Sequence, residues 1–171
     1  MQMVKNILLI IATLWFAILL FMPKVDLYYS LENKLVKKGI VINEKSIDES
    51  VFSLSLKESD IYAEGINLVK LNKINIFTLL FYSSINVNGI NIDESLKSFI
   101  PVTVEKLIAS HSILSPRKVF ITIVGNFGVA DGIVDLKKKI IRLDFSDTNE
   151  LNNLKKQLKK DKKGWYYEKS F

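Results

Sequence analysis

Chemistry in this chain would have to come from a short set of side chains. His111 is the only histidine. No His-x-x-x-His metal pair therefore exists, and a His-Asp-Ser relay is not expected. His111 falls in a stretch that reads as a strand, where it is expected to serve as a surface or partly buried structural residue. Cysteine is absent, which excludes disulfides, thiolate zinc sites, a lipidated N-terminal cysteine and a cysteine nucleophile. The acidic pairs Asp48-Glu49 and Asp93-Glu94 have the composition of metal or glycosidase carboxylates. Neighbours in an extended segment point to opposite faces, however, and both pairs are expected at the start of helices or turns.

Serines are numerous, yet no Gly-x-Ser-x-Gly elbow occurs, and Ser112 and Ser115 have no general base nearby except His111. Gly125-Asn126-Phe127-Gly128 with Gly132 fits neither a phosphate loop nor a dinucleotide fingerprint, and is expected to form a bend between strands. The reading is of a non-enzymatic chain with no catalytic residue, no cofactor and no metal. One charged feature stands apart. Residues 1–136 hold 13 basic and 13 acidic side chains, whereas residues 137–171 hold 11 and 5. Within that tail Lys155, Lys156, Lys159, Lys160, Lys162 and Lys163 lead into Trp165, a pattern suited to an anionic bilayer surface. The alternative is a helix that packs its leucines on a sheet and leaves its lysines in water. Nucleic acid is not an expected partner.

The elements that position these residues begin with an apolar segment. No charge lies between Lys5 and Lys24, and from Ile7 to Met22 only Thr13 interrupts the apolar run. The 18 positions from Asn6 to Pro23 reach about 27 Å as a helix, one hydrocarbon thickness. Eleven of them are Leu, Ile or Phe, favouring insertion by at most about 3–7 kcal/mol. Ile7, Leu14, Trp15, Phe16 and Phe21 are expected to face lipid as a membrane anchor. A cleaved signal peptide is the rival reading, but no small-x-small site follows the run, so retention is expected. Residues 1–23 form the tail and anchor, residues 24–171 one exported domain.

Within that domain Leu27, Leu31 and Leu35 predict a short amphipathic helix over 26–38, with Asp26 as cap and Gly39 just past the end. Alternation at Phe52, Leu54 and Leu56, at Ile74 and Ile76, and at Ile85 and Val87 predicts strands, with a phase slip at Gly89 that suggests a bulge. Further strands are expected over 102–112, 118–124, 129–136, 140–145 and 165–171, with Lys137, Lys138 and Lys139 at a hairpin corner. Asp147 and Glu150 resemble a capping box for a second helix carrying Leu151, Leu154 and Leu158 and closed by Gly164. Seven or eight strands without βαβ alternation imply a mainly β, α+β domain with an antiparallel sheet. Gly-Ile recurs at 39, 65, 89 and 132, a hint of similar stacked strands.

The anchor, the short helix and the glycine-punctuated strands, above all Gly125-Asn126-Phe127-Gly128-Val129-Ala130-Asp131-Gly132-Ile133-Val134-Asp135-Leu136, resemble the type II secretion system protein N family and the wider AsmA-like group. The resemblance implies a single-pass inner-membrane protein with a curved periplasmic β-sheet that is apolar inside. Envelope biogenesis, secretion or lipid handling would be its role. Membrane lipids, and other envelope or secretion-system proteins, would be its partners. The chain is also similar to the lipopolysaccharide export protein C type, in which one transmembrane helix joins a periplasmic β jelly roll that cradles acyl chains. The two resemblances differ in an open groove against a filled sandwich.

Overall fold

The structure, a computed structural model, describes residues 2–79, 81–97, 102–147, 151, 155–162 and 164–171. Helix α1 (Gln2–Phe21) is followed after Met22 and Pro23 by α2 (Lys24–Val36). Then come β1 (Ile40–Glu49), β2 (Ser53–Ala63), β3 (Ile66–Leu79) and β4 (Tyr82–Ile92), the one-turn α3 (Glu94–Lys97), and β5 (Val104–Ser112), β6 (Lys118–Gly125), β7 (Gly128–Asp135) and β8 (Ile140–Phe145). A one-turn 3-10 helix, Lys155–Gln157, precedes β9 (Lys159–Asp161) and β10 (Gly164–Ser170). The ten strands among the described residues form one open antiparallel sheet, ordered β1-β2-β3-β4-β5-β6-β7-β8-β10-β9.

The mainly antiparallel β class and the apolar N-terminal helix agree with the sequence. Gly39, at φ +77°, supplies the left-handed exit from α2. Three local expectations are corrected. Asp26 does not cap α2, which starts two residues earlier behind Pro23. Instead Glu49 Oε1, from β1, accepts the Lys24 backbone N–H at 3.3 Å. Asp48 and Glu49 are the last two residues of β1, paired with β2 and directly before the β1–β2 turn, so no helix starts there. Residues 155–162 form a single 3-10 turn and a strand where a helix was expected. Lys159–Asp161 extends because the free edge of β10 offers it a ladder and Arg142 holds Asp161 at 2.6 Å. Glu150, Leu154 and Lys163 lie outside the described residues.

A line of residues crosses five strands without joining the ladder: Lys45, Glu58, Asn72, Gly89 and Glu105 each fall between paired neighbours. Glu58 (φ +46°) and Gly89 (φ +66°) are left-handed. At β5 the line ends in a register shift against β6. In β2 the buried side chains switch there from Leu54 and Leu56 to Ser59. One residue per strand is thus spent so that the same sheet face stays apolar on both sides of the crease, since period-2 alternation would otherwise turn it over.

That face carries two cores. Over β2–β4, Tyr28 of α2 packs on Leu54, Leu56, Leu71 and Ile74. Over β5–β8, Leu151 and the turn residue Phe127 pack on Ala130, with Phe145 and Leu158 at the margin. Phe127 meets Phe145 edge-on at 5.8 Å.

Candidate functional site

Strand register decides which side chains share a face. Ala109, Ile121, Gly132 and Leu143 form one cross-strand row, and His111, Val119, Val134 and Ile141 the next. They stand on the same face as the buried Ala130 but outside both cores, and their apolar side chains are half-buried. Glycine at 132 keeps this row shallow. A β-carbon there would meet the Leu143 side chain and would lie 2.6 Å from the Arg142 carbonyl oxygen.

Beside the first core, Met22, Leu27, Leu31, Leu54, Ile76 and Thr78 line an apolar cleft of about 180 Å³. It sits where the α1–α2 link reaches the sheet. Tyr28 Oη donates to Glu44 Oε2 at 2.7 Å behind it. Burial first, then the Glu44 carboxylate, pushes the Tyr28 phenol well above its ordinary value. Desolvation and the Glu44 charge likewise raise the Glu32 carboxyl.

The opposite face mixes polar residues with the exposed apolar side chains of Phe120, Val129 and Ile133. Asp131 accepts from Thr122 Oγ1 at 2.8 Å, and Asp135 Oδ1 accepts the backbone N–H groups of Lys137 and Lys138 at 3.0 and 2.8 Å. Those two bonds hold the Asp135 carboxyl below its ordinary range. His111 stands on the apolar face, with Nε2 3.2 Å from the Pro116 carbonyl oxygen. The sheet therefore separates His111 from Asp131 and Asp135, and the three do not meet in a cleft. Among the described residues no group of three or more His, Asp or Glu could hold a metal. Asp48 pairs with Lys57 at 2.6 Å and Glu49 with Lys24 at 3.5 Å. Asp93 caps its own turn through Ser95 N–H and Oγ at 3.0 and 2.7 Å. A polar groove of about 570 Å³ follows the crease past Lys45, Glu58, Asp60 and Lys70. There Lys45 is already paired with Glu58 at 2.9 Å.

The anchor residues Ile7, Leu14, Trp15, Phe16 and Phe21 all lie on α1 and all are exposed or nearly so. Along this helix only Leu19 is buried. Thr13 Oγ1 donates to the Leu9 carbonyl at 2.8 Å, so the one polar side chain in the run is satisfied within the helix. The 20-residue helix is long and apolar enough to cross a membrane.

The basic tail is brought together differently. Lys159 and Lys160 sit on β9, Lys159 within 3.5 Å of Glu168 and Lys160 5.4 Å from the Trp165 ring centre. Lys155 belongs to the 3-10 turn, as does the backbone of Lys156, and Lys162 is exposed in the β9–β10 turn. Trp165 opposes Phe145, at the end of the sheet away from α1. Two contributors gave no sequence signal: the capping role of Glu49 and the row of half-buried apolar residues over β5–β8, which depends on register.

No protein-family model matches the chain, and comparison with curated proteins and with solved structures gave no match either. Fold and site define a class only: an open antiparallel β-sheet protein with one N-terminal helix capable of spanning a membrane.

Proposed function

We propose that this is a non-enzymatic, single-pass envelope protein whose exported sheet binds lipid acyl chains on its apolar face, as an accessory to envelope assembly or secretion. The observation that carries this reading is the half-buried apolar set Ala109, Ile121, Val134, Ile141 and Leu143 on β5–β8, on the same face as both covered cores but outside them. Acyl chains need apolar surface and no specific polar partner. The meander order, with chain neighbours as sheet neighbours, favours the type II secretion protein N and AsmA-like resemblance over the jelly roll. The crease supports a curved sheet, because unpaired residues in register bend strands together. Partners in the envelope would reach the domain from the same membrane.

Native mass spectrometry of the full chain released from mild detergent tests it. Retained phospholipid is expected, and its loss on Ile121→Glu with the thermal transition preserved would place it on this face. A lipid-free wild-type species would overturn the acyl-chain reading. Recovery of a stoichiometric envelope protein with that lipid-free species would leave the accessory role standing alone.

A further inference from the structure

The two ends of the sheet differ in chemistry. At one end lie the β2–β3 turn with Glu64 and Gly65, and the β4–β5 connection with Asp93 and Glu94. At the other lie the β1–β2, β3–β4 and β5–β6 turns and the end of β10, which carry exposed apolar side chains, and the lysine-rich β7–β8 turn. Val51, Phe81, Ile113 and Phe171 are exposed there, and Leu114 is 90 % exposed. Arg117, Lys137, Lys138 and Lys139 flank them.

Helix α1 leaves the domain at this same end. Phe16 packs on Phe52 of the β1–β2 turn, centroids 6.3 Å apart, and Phe81 of the β3–β4 turn lines one apolar cleft with Leu8, Ala12 and Trp15. Phe16 and Ala12 are five and nine residues in from Phe21, about 8–14 Å along the helix axis. A span of α1 across a bilayer carries these tips below the headgroups, at least the roughly 5–10 Å of an interfacial amphipathic element.

Lipid immersion favours turn backbone groups that find partners within the protein, and several here do. Thr78 N–H donates to the Phe52 carbonyl, Ile113 N–H to Phe81, Leu136 N–H to Arg117 and Phe171 N–H to Lys139, all at 2.8–3.0 Å. Leu114 N–H donates to Ser112 Oγ at 3.3 Å. Each tip is thereby stitched to the next.

We infer that this end of the sheet is a membrane-docking edge: the apolar tips enter the bilayer that α1 spans, and Arg117 and Lys137–Lys139 meet anionic headgroups. The inference rests on α1 being a membrane span. It stands apart from acyl-chain binding on the sheet face. It also puts the lipid contact at the end opposite the basic tail, so that Lys155, Lys159, Lys160 and Lys162 lie away from the membrane.

The natural absence of cysteine makes single labels unambiguous. Leu114→Cys, Glu94→Cys and Thr13→Cys chains, each carrying an environment-sensitive fluorophore, are reconstituted in phosphatidylcholine–phosphatidylglycerol vesicles. They are then quenched with brominated lipid or with aqueous iodide. The expected result is that Thr13 and Leu114 labels respond to brominated lipid and Glu94 to iodide, with a several-fold contrast between Leu114 and Glu94. A Leu114 label as open to iodide as Glu94, beside a lipid-quenched Thr13 label, overturns the docking edge and leaves the span intact. Iodide quenching at Thr13 overturns both. Leu114 is a solvent-exposed turn residue, so its replacement leaves the fold in place.

Discussion

At the scale of single residues the fold depends on positions where backbone conformation leaves no choice. Gly89 is left-handed, and a β-carbon there would run into the Asn72 side chain across the strand pair. Gly89→Ala is therefore expected to cost about 1–3 kcal/mol through overpacking and strain. Thermal unfolding of the detergent-solubilised chain would read this as a lowered Tm, and Asn72→Ala in the same chain should restore part of it. An unchanged Tm would mean that the crease is more plastic than its geometry implies. Tyr28→Phe removes the donor to Glu44 and should cost about 1 kcal/mol, a typical net hydrogen bond. Ionisation gives a further test. The folded-state pKa of Asp135 is lowered by its two backbone donors, so its contribution is present above the unfolded value near 3.8 and is lost as pH falls through the folded one. Glu32 acts oppositely, since its raised carboxyl begins to penalise folding as pH climbs above 4.5. Asp135→Asn should make the acid limb of stability shallower, while Glu32→Gln should flatten the fall just above that pH, both followed by chemical denaturation across pH.

Among the elements, β9 is the most dependent on one side chain. Arg142 makes paired bonds to Asp144, bonds Asp161 at 2.6 Å, and lies 4.0 Å from the Tyr166 ring centre. Lysine cannot reproduce a planar fork that bonds two carboxylates and stacks. Arg142→Lys is expected to speed amide exchange across Lys159–Asp161 and the start of β10 while leaving β2–β4 protected, and uniform exchange would sink the idea. This element also marks where sequence reading stopped. Helix α1 and the strands around Leu54, Ile121 and Leu143 were legible because apolar runs and alternation report burial directly. Strand β9 was not, because Lys-Lys-Asp carries no apolar alternation and owes its conformation to a neighbouring edge and an ion pair. Gly89 betrayed the crease at one strand. Its continuation through Glu58 was invisible, since a left-handed glutamate has no compositional sign. The apolar turns were plain as residues. That they share one end follows only from the strand order.

For the whole molecule, the proposed span by α1 would put the residues before it and the sheet after it on opposite sides of the membrane. An alkaline phosphatase fused after Phe171 is expected to be active and a fluorescent protein at that position dark. The reverse pattern would move the sheet into the cytoplasm without altering its fold. The strand order has a consequence for how such a chain is made. From β1 to β8 every strand pairs with the one synthesised just before it, so no pairing waits for distant sequence. Low contact order of this kind favours fast folding. On the export proposed above, hairpins would close one by one as they emerge, each on the edge left by the last. Only β10 breaks the sequence: it passes over its own hairpin partner β9 to pair with β8, so the basic C-terminal strands are the last part of the sheet to be secured.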